Sequence, residues 1–351
     1  MRENNFDAIR LLAAITVIFG HAHPLAGAAS SALLANSVQA LAVKIFFVIS
    51  GYLICTSWTL DPNPARYLKK RALRIFPALF VICVLTVFVV GPLTTSLPIW
   101  RYFSYPHTFG YFRNVLLYPI YDLPGVFAHN AYPIAVNGSL WSLPVEFSMY
   151  LVLPMVLPFG AAFRSRSLIV VVTLLFCAIN LKFVRIAPPA SHPVFYGSDL
   201  ISVLDVAPYF MLGALVKVCR LERMLDSAIA LFLVFLTALI PPSSAVGSEL
   251  VLFFLLPYCT LSLALARHPL LSKAGRFGDF PYGLYLYGFL VQQTVNHFTH
   301  NTLSALQNAS VSLPVALALA VLSWRYVEKP MLALKPRPNT ASQKISIKEN
   351  N

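Results

Sequence analysis

The chain has 351 residues, 58% of them hydrophobic and 11% charged, with a mean hydropathy of +0.71. Soluble domains carry about a quarter of their residues as charges, so these few ionic groups cannot clothe a water-facing surface, and lipid must be the main solvent. The net charge of +13 would suggest nucleic acid on a soluble protein; here membrane orientation accounts for it, and no nucleic-acid partner is expected. The five cysteines are scattered with no CxxC pair, which excludes a disulfide framework and gives no metal-ligand spacing.

Crossing ~30 Å of hydrocarbon takes about 20 apolar residues. Ten such runs predict an all-α polytopic integral membrane protein. The first, Ala8–Ala26, is not a cleaved signal, because Glu3, Asp7 and Arg10 lead into it and a second span follows at once. It carries Arg10, His21 and His23, where ionisable groups are expensive. Arg10 and His21 lie about 20° past three full turns from one another, so they share one face about 16 Å apart. His23 lies about 200° round from His21. Arg10 sits at the cytosolic edge, either snorkelling to headgroups or meeting a ligand. His21, in the outer half, exchanges protons near neutral pH.

The second run, Val38–Trp58, holds Ser50-Gly51, a small pair suited to close helix packing. A basic loop (Arg66, Lys69, Lys70, Arg71, Arg74) leads into the third, Ile75–Leu97. Arg71 and Arg74, one turn apart, can both grip phosphate oxygens, although cytosolic anchoring alone explains such a cluster. The outer segment 98–138 is rich in Tyr, Phe and Pro and fits a lid over the outer mouth as well as a plain interfacial loop. The fourth run, Ser139–Phe159, puts Glu146 about 10 Å below the outer boundary, and His21 lies at a comparable ~8 Å. At matched depth the two can meet. A carboxylate on one imidazole nitrogen would make the other a general base; a structural ion pair is the simpler alternative.

The fifth and sixth runs are Ser167–Val184 and Leu200–Val218, the latter holding Asp205, which has no assigned partner. Leu225–Ile240, Leu250–Ala266, Phe280–Phe298 and Val311–Tyr326 follow, the first and last of these being short. Arg325 and Glu328 stand one turn apart at the close of the tenth. No internal repeat is legible. The expected organisation is a membrane domain over 1–332 and a flexible, basic cytoplasmic tail over 333–351. With the amino terminus inside, all but five of the 26 Lys and Arg residues fall on the cytosolic side, the exceptions being Lys44, Arg101, Arg113, Lys182 and Arg185. Both termini are therefore expected in the cytoplasm.

Walker, dinucleotide, HExxH and GxSxG patterns are all missing from the sequence, which leaves phosphoryl transfer, hydride transfer, zinc hydrolysis and esterase chemistry without support. A cytosolic cationic patch, a polar stripe and a deep base suit a ligand with a phosphorylated head and a long reactive arm, and acyl-CoA is such a molecule. A secondary transporter of an organic anion would use the same residue types. A non-catalytic subunit of an envelope-glycan assembly complex is a third reading.

Asp7-Ala-Ile-Arg10 with His21, Phe46-Phe47-Val-Ile-Ser50-Gly51-Tyr52-Leu53, Arg71-Ala-Leu-Arg74 and Trp141-Ser-Leu-Pro-Val-Glu146-Phe-Ser-Met-Tyr150 resemble the membrane acyltransferase 3 family. So do Tyr282-Gly-Leu-Tyr285-Leu-Tyr287 and Tyr326-Val-Glu328-Lys-Pro330, in the family's order over roughly 5–332. The resemblance implies a ten-helix, multi-pass protein of the bacterial inner membrane that O-acylates extracytoplasmic glycans or lipid-linked sugars. Acetyl-CoA or another acyl-CoA would be its co-substrate, with no permanently bound cofactor or metal. It implies catalytic roles for His21 and Glu146, acyl-CoA binding by Arg10, Arg71 and Arg74, and support from Asp7, Ser50, Trp141 and Tyr150. Two departures stand out: Tyr287-Gly-Phe replaces a stretch where many members have a histidine, and the hydrolase-like domain of some members is missing from the sequence.

Overall fold

A computed structural model describes residues 4–30, 32–157, 163–239, 244–266, 271–276 and 278–336. The chain is an all-α polytopic membrane protein. Its principal helices are α1 (Phe6–Leu25), α2 (Val38–Leu60), α3 (Pro64–Thr94), α4 (Gly138–Val156) and α5 (Arg166–Ile186). They continue with α6 (Leu200–Val218), α7 (Ser227–Leu239), α8 (Ala245–Leu265), α9 (Pro281–Phe298) and α10 (Ala305–Ala333). Among the described residues, eight of these are long and apolar enough to cross a bilayer; the other two are α7, which is shorter, and α9, which is more polar. In α9 nearly every side chain is buried, including Gln292, Gln293 and Asn296, so it forms the polar spine of the bundle.

Helix ends follow their capping residues. Ser37, Asn63 and Ser304 each accept a backbone N–H in the first turn of α2, α3 and α10, and Pro64 occupies the first position of α3. The start of α1 is tied to the end of α8 by Asn5, whose side chain donates to Leu263 O at 2.9 Å. Three helices outrun their expected bounds. The basic loop is itself helical, so α3 begins at Pro64. The tenth helix is long, because Ser304 and Gln307 cap it early and a wide turn at Trp324–Glu328 carries it on. An earlier start for α8 brings Glu249, a charge missed by hydropathy, inside the membrane domain.

An internal repeat is present after all. α1 and α2 are joined through a two-residue-turn hairpin that pairs Ala32 with Ser37, and α5 and α6 through one that pairs Val194 with Asp199. Both turns hold two residues at positive φ, Leu34 and Ala35 in one, Tyr196 and Gly197 in the other, as a primed hairpin turn requires. Each hairpin ends on the N-cap of the next helix, Ser37 or Asp199. At the same distance beyond the cap, Gly51 and Gly213 meet the partner helix reciprocally: a Cβ on Gly51 would strike Phe210 O, and one on Gly213 would strike Val48 O. The symmetry lies in backbone geometry and two glycines. The surrounding side chains differ because each half faces different neighbours.

The segment between α3 and α4 folds back over one end of the bundle in short helical pieces. Tyr102 donates to Val87 O at 3.0 Å, Asn130 to Gln293 Oε1 at 2.8 Å and Asn137 to Leu286 O at 2.9 Å. It is thus a packed cover on the ends of α3 and α9, at the opposite end from the basic loop.

Candidate active site

A cavity of about 220 Å³ opens among α1, α2, α3, α4, α9 and the end of α10. It gathers Arg10, Ser50, Arg71, Arg74, Glu146 and Tyr150, six of the residues singled out in the sequence.

The structure sorts the five cations of the basic segment by partner. Arg66 Nε and Lys70 Nζ reach the Asp61 carboxylate at 3.1 and 2.8 Å. The hydrogen bonds from Arg66, with Lys70 behind, hold Asp61 down to about 2 against the opposing effect of burial. Lys69 is exposed. Arg74 Nη1 lies 3.3 Å from Glu328 Oε2, and Nη2 lies 2.8 Å from Asp279 Oδ2, near enough for an ion pair though not aligned as a hydrogen bond. Arg10 Nη1 takes the other oxygen of Asp279 at 3.1 Å. Burial alone would raise the pKa of Asp279, but Arg10 and Arg74 outweigh it and keep the group below the ordinary carboxylate range.

Arg71 differs. Its Nη2 donates to Ser57 Oγ at 3.4 Å, its guanidinium lies 5.9 Å from the rings of Tyr67 and Tyr150, and its Nε is buried without a hydrogen-bond partner. No carboxylate among the described residues pairs with it. Of the two arginines one turn apart, one is locked into the scaffold and one faces the cavity uncompensated.

Deeper in the cavity, Glu146 Oε1 accepts from Ser50 Oγ at 2.9 Å and from Tyr150 OH at 2.5 Å. Gly51 explains how Ser50 is presented: α2 is pressed against α6 on the glycine side, which turns the serine toward α4. Tyr282 and Tyr285 of α9 complete the wall, Tyr285 being held by Ser142 Oγ at 2.6 Å.

His21 lies outside this cavity, and the expected His21–Glu146 pair is not formed. The imidazole packs edge-on against Phe289 with ring centroids 5.2 Å apart, and its Nδ1 is buried with no hydrogen-bond partner among the described residues. Equal depth was not enough: α1 packs mainly on α2, α9 and α10, whereas α4 packs on α2, α3, α5 and α6 and, through its first turn, on α9, so α2 and α9 both stand between the two side chains. Phe46 of α2 meets Tyr285 edge-on at 5.9 Å, and Phe289 follows Tyr285 by one turn on α9. About 6 Å of helix therefore separates the cavity wall from the ring that touches His21. Gly288 lets α1 come close, since a Cβ there would meet Ile18.

The remaining supporting residues are peripheral to the cavity. Asp7 stands 4.0 Å from Arg10, and Trp141 packs against the core. Arg325 does not pair with Glu328; the wide turn sends Glu328 inward to Arg74 and to Ser323 Oγ at 3.1 Å, and leaves Arg325 exposed. Asp279 was missed by the sequence reading, although an acidic residue just before Pro281 in an otherwise basic loop is a visible signal. Asp205 finds its place in a second buried network. Lys44 Nζ lies 3.0 Å from Asp205 and 3.2 Å from Glu249, Arg185 lies 3.0 and 2.7 Å from the same two, and Asn36 Oδ1 accepts from both cations. Two cations face two carboxylates there, away from the cavity, in a neutral cluster joining α2, α5, α6 and α8.

A family model described as an acyltransferase domain matches residues 3–325. An O-acetyl transferase of Shigella phage Sf6 is 29% identical, covering 94% of this chain and 96% of the relative. Nodulation protein 10 of Rhizobium leguminosarum bv. viciae is 28% identical, over 98% of this chain and 97% of the relative. A peptidoglycan O-acetyltransferase of Listeria monocytogenes is 25% identical over 83% of this chain, which spans 51% of that protein. No solved structure matches the chain.

Proposed function

The chain belongs to the acyltransferase family that matches its residues 3–325, and from that premise we propose that it carries an acetyl group from a cytosolic acetyl-CoA to a sugar hydroxyl beyond the opposite face of the bacterial inner membrane. That it is a multi-pass membrane acyltransferase follows from the family and the helices together. The donor, the acceptor and the residue roles are our reading. The supporting observation is that one cavity holds both an uncompensated Arg71, toward the basic segment, and the Ser50–Glu146–Tyr150 group at depth.

In this reading the nucleotide phosphates rest near Arg71, with Arg10 and Arg74 shaping that end through Asp279. The pantetheine arm runs inward past Ser50 and Glu146, which line and orient it. His21 accepts the proton of the acceptor hydroxyl as the oxygen attacks the thioester carbonyl. The new C–O bond forms, the C–S bond breaks, and the proton passes on to the departing thiolate. Because Phe46, Tyr285 and Phe289 intervene, these rings must part for the thioester to reach His21. A glycan acceptor is supported by the peptidoglycan O-acetyltransferase relative.

Purified protein incubated with radiolabelled acetyl-CoA and a glycan acceptor tests this reading. Stable label on the glycan is the expected product. Uptake of an organic anion into vesicles with no label transferred would replace the enzyme reading with transport.

A further inference from the structure

The cavity has one more cation in its wall, and it comes from beyond the last long helix. Leu332 and Lys335 both line the cavity, although Lys335 lies ten residues past the end of the family match at residue 325. After α10 the chain turns, with Leu334 N bonded to Met331 O at 3.1 Å and Lys335 N to Leu332 O at 3.2 Å, and this turn brings the lysine to the cavity mouth. The segment from 333 was expected to be a flexible tail; of its described residues, Lys335 lines the cavity.

The charges around the mouth do not cancel. Asp279 is shared by Arg10 and Arg74, and Glu328 is taken by Arg74. Arg71 and Lys335 are left, and neither has a carboxylate within ion-pair distance among the described residues. Glu146, the other carboxylate in the wall, is bound by Ser50 and Tyr150. Two like charges on one small cavity repel unless an anion sits between them, and protein surfaces hold such pairs where a multiply charged ligand binds.

We propose that Lys335 is a donor-binding residue that acts with Arg71 on the phosphates of the acyl-CoA, so that the turn after α10 forms one side of the donor's entrance. This rests on the donor assignment above and deepens it. An exposed lysine on a long, pliant stem reaches phosphate as a mobile point charge, while Arg71 is fixed between two tyrosine rings. The partial withdrawal of the Lys335 ammonium from water, with Arg71 and Arg74 adding repulsion, lowers its pKa to about 8, as befits a cation awaiting an anion.

The test is equilibrium binding of CoA and of S-acetylpantetheine, which lacks the nucleotide phosphates, to detergent-purified wild type and Lys335→Gln. Loss of one charge-assisted contact should weaken CoA binding roughly tenfold in the variant. The pantetheine compound should bind both proteins equally, and Lys335→Arg should recover most of the CoA affinity. Equal CoA affinity in wild type and Lys335→Gln, or an equal loss with both ligands, overturns the role of Lys335 while leaving the donor reading intact. No saturable CoA binding by wild type would instead remove the donor reading, and this inference with it.

Discussion

Replacing Arg71 and Arg74 one at a time with alanine should give two different defects, although both belong to one RxxR motif. Arg74→Ala takes the cation from between Asp279 and Glu328. Asp279 keeps Arg10, but Glu328, 1% exposed, keeps only the hydroxyl of Ser323. Removing one partner of a buried ion pair costs about 3–5 kcal/mol, chiefly because the other charge is stranded. The remaining bond and the residual access of water at Asp279 place the expected loss at the lower end, about 3 kcal/mol. Arg71→Ala strands no carboxylate. It removes a long hydrogen bond to Ser57 and two ring contacts, worth about 1 kcal/mol together. Its effect should appear in donor affinity, where loss of a charge-assisted phosphate contact of about 1.5–3 kcal/mol weakens binding by roughly one to two powers of ten. Thermal unfolding in detergent and calorimetric CoA binding separate the two effects, and Arg74→Ala combined with Glu328→Gln should regain part of the lost stability. An Arg74→Ala protein as stable as wild type, or an Arg71→Ala protein that is destabilised yet binds CoA normally, would refute the division of labour between the two arginines.

Lys44→Met should destabilise the protein by about 3 kcal/mol, since Asp205 and Glu249 would share Arg185 alone. Adding Glu249→Gln should recover much of it, and protein that remains folded should bind CoA normally, because none of the four charged residues lines the cavity. CoA affinity should fall as pH rises through about 8, where Lys335 loses its charge; burial together with Arg71, Arg74 and Lys70 holds that pKa down, and Asp279 opposes them. The cationic form binds phosphate, so the affinity is fully present at pH 7 and declines toward pH 9. Titrations at several pH values should show this slope in wild type and a flat profile in Lys335→Gln.

The ten helices were legible because hydropathy and the placement of Lys and Arg act through the bilayer, a solvent whose thickness is known in advance. Arg10 and Glu146 were legible for a related reason, since charged side chains inside a span rarely survive without a use; Arg71 stood out only within a basic cluster that anchoring also explains, and Ser50 and Tyr150 through the family motifs. Helical period and depth gave the height of each residue but not which helix stands beside which. That is why His21 and Glu146 looked like partners when side chains of α2 and α9 in fact separate them. The Arg74–Asp279–Glu328 bridge was hidden by sequence separation, and Lys44–Glu249 by the unrecognised start of α8. The repeat escaped notice because its signature is two hairpins and two glycines at equal spacing, with little side-chain likeness. Lys335 was hidden by composition: a polar, basic stretch after the last span reads as tail. Residues 337–351 lie outside those the structure describes, so the tail expectation bears only on them.

Proteoliposomes of defined orientation test the central claim most directly. Radiolabelled acetyl-CoA would be confined to the side of the basic segment, and a membrane-impermeant glycan acceptor to the side of the outer cover. Wild type should place label on the glycan across the bilayer, and His21→Ala should transfer none while still binding CoA with wild-type affinity. Transfer only when donor and acceptor share one side, or undiminished transfer by His21→Ala, would contradict an acyl group carried from a cytosolic cavity to an acceptor at His21.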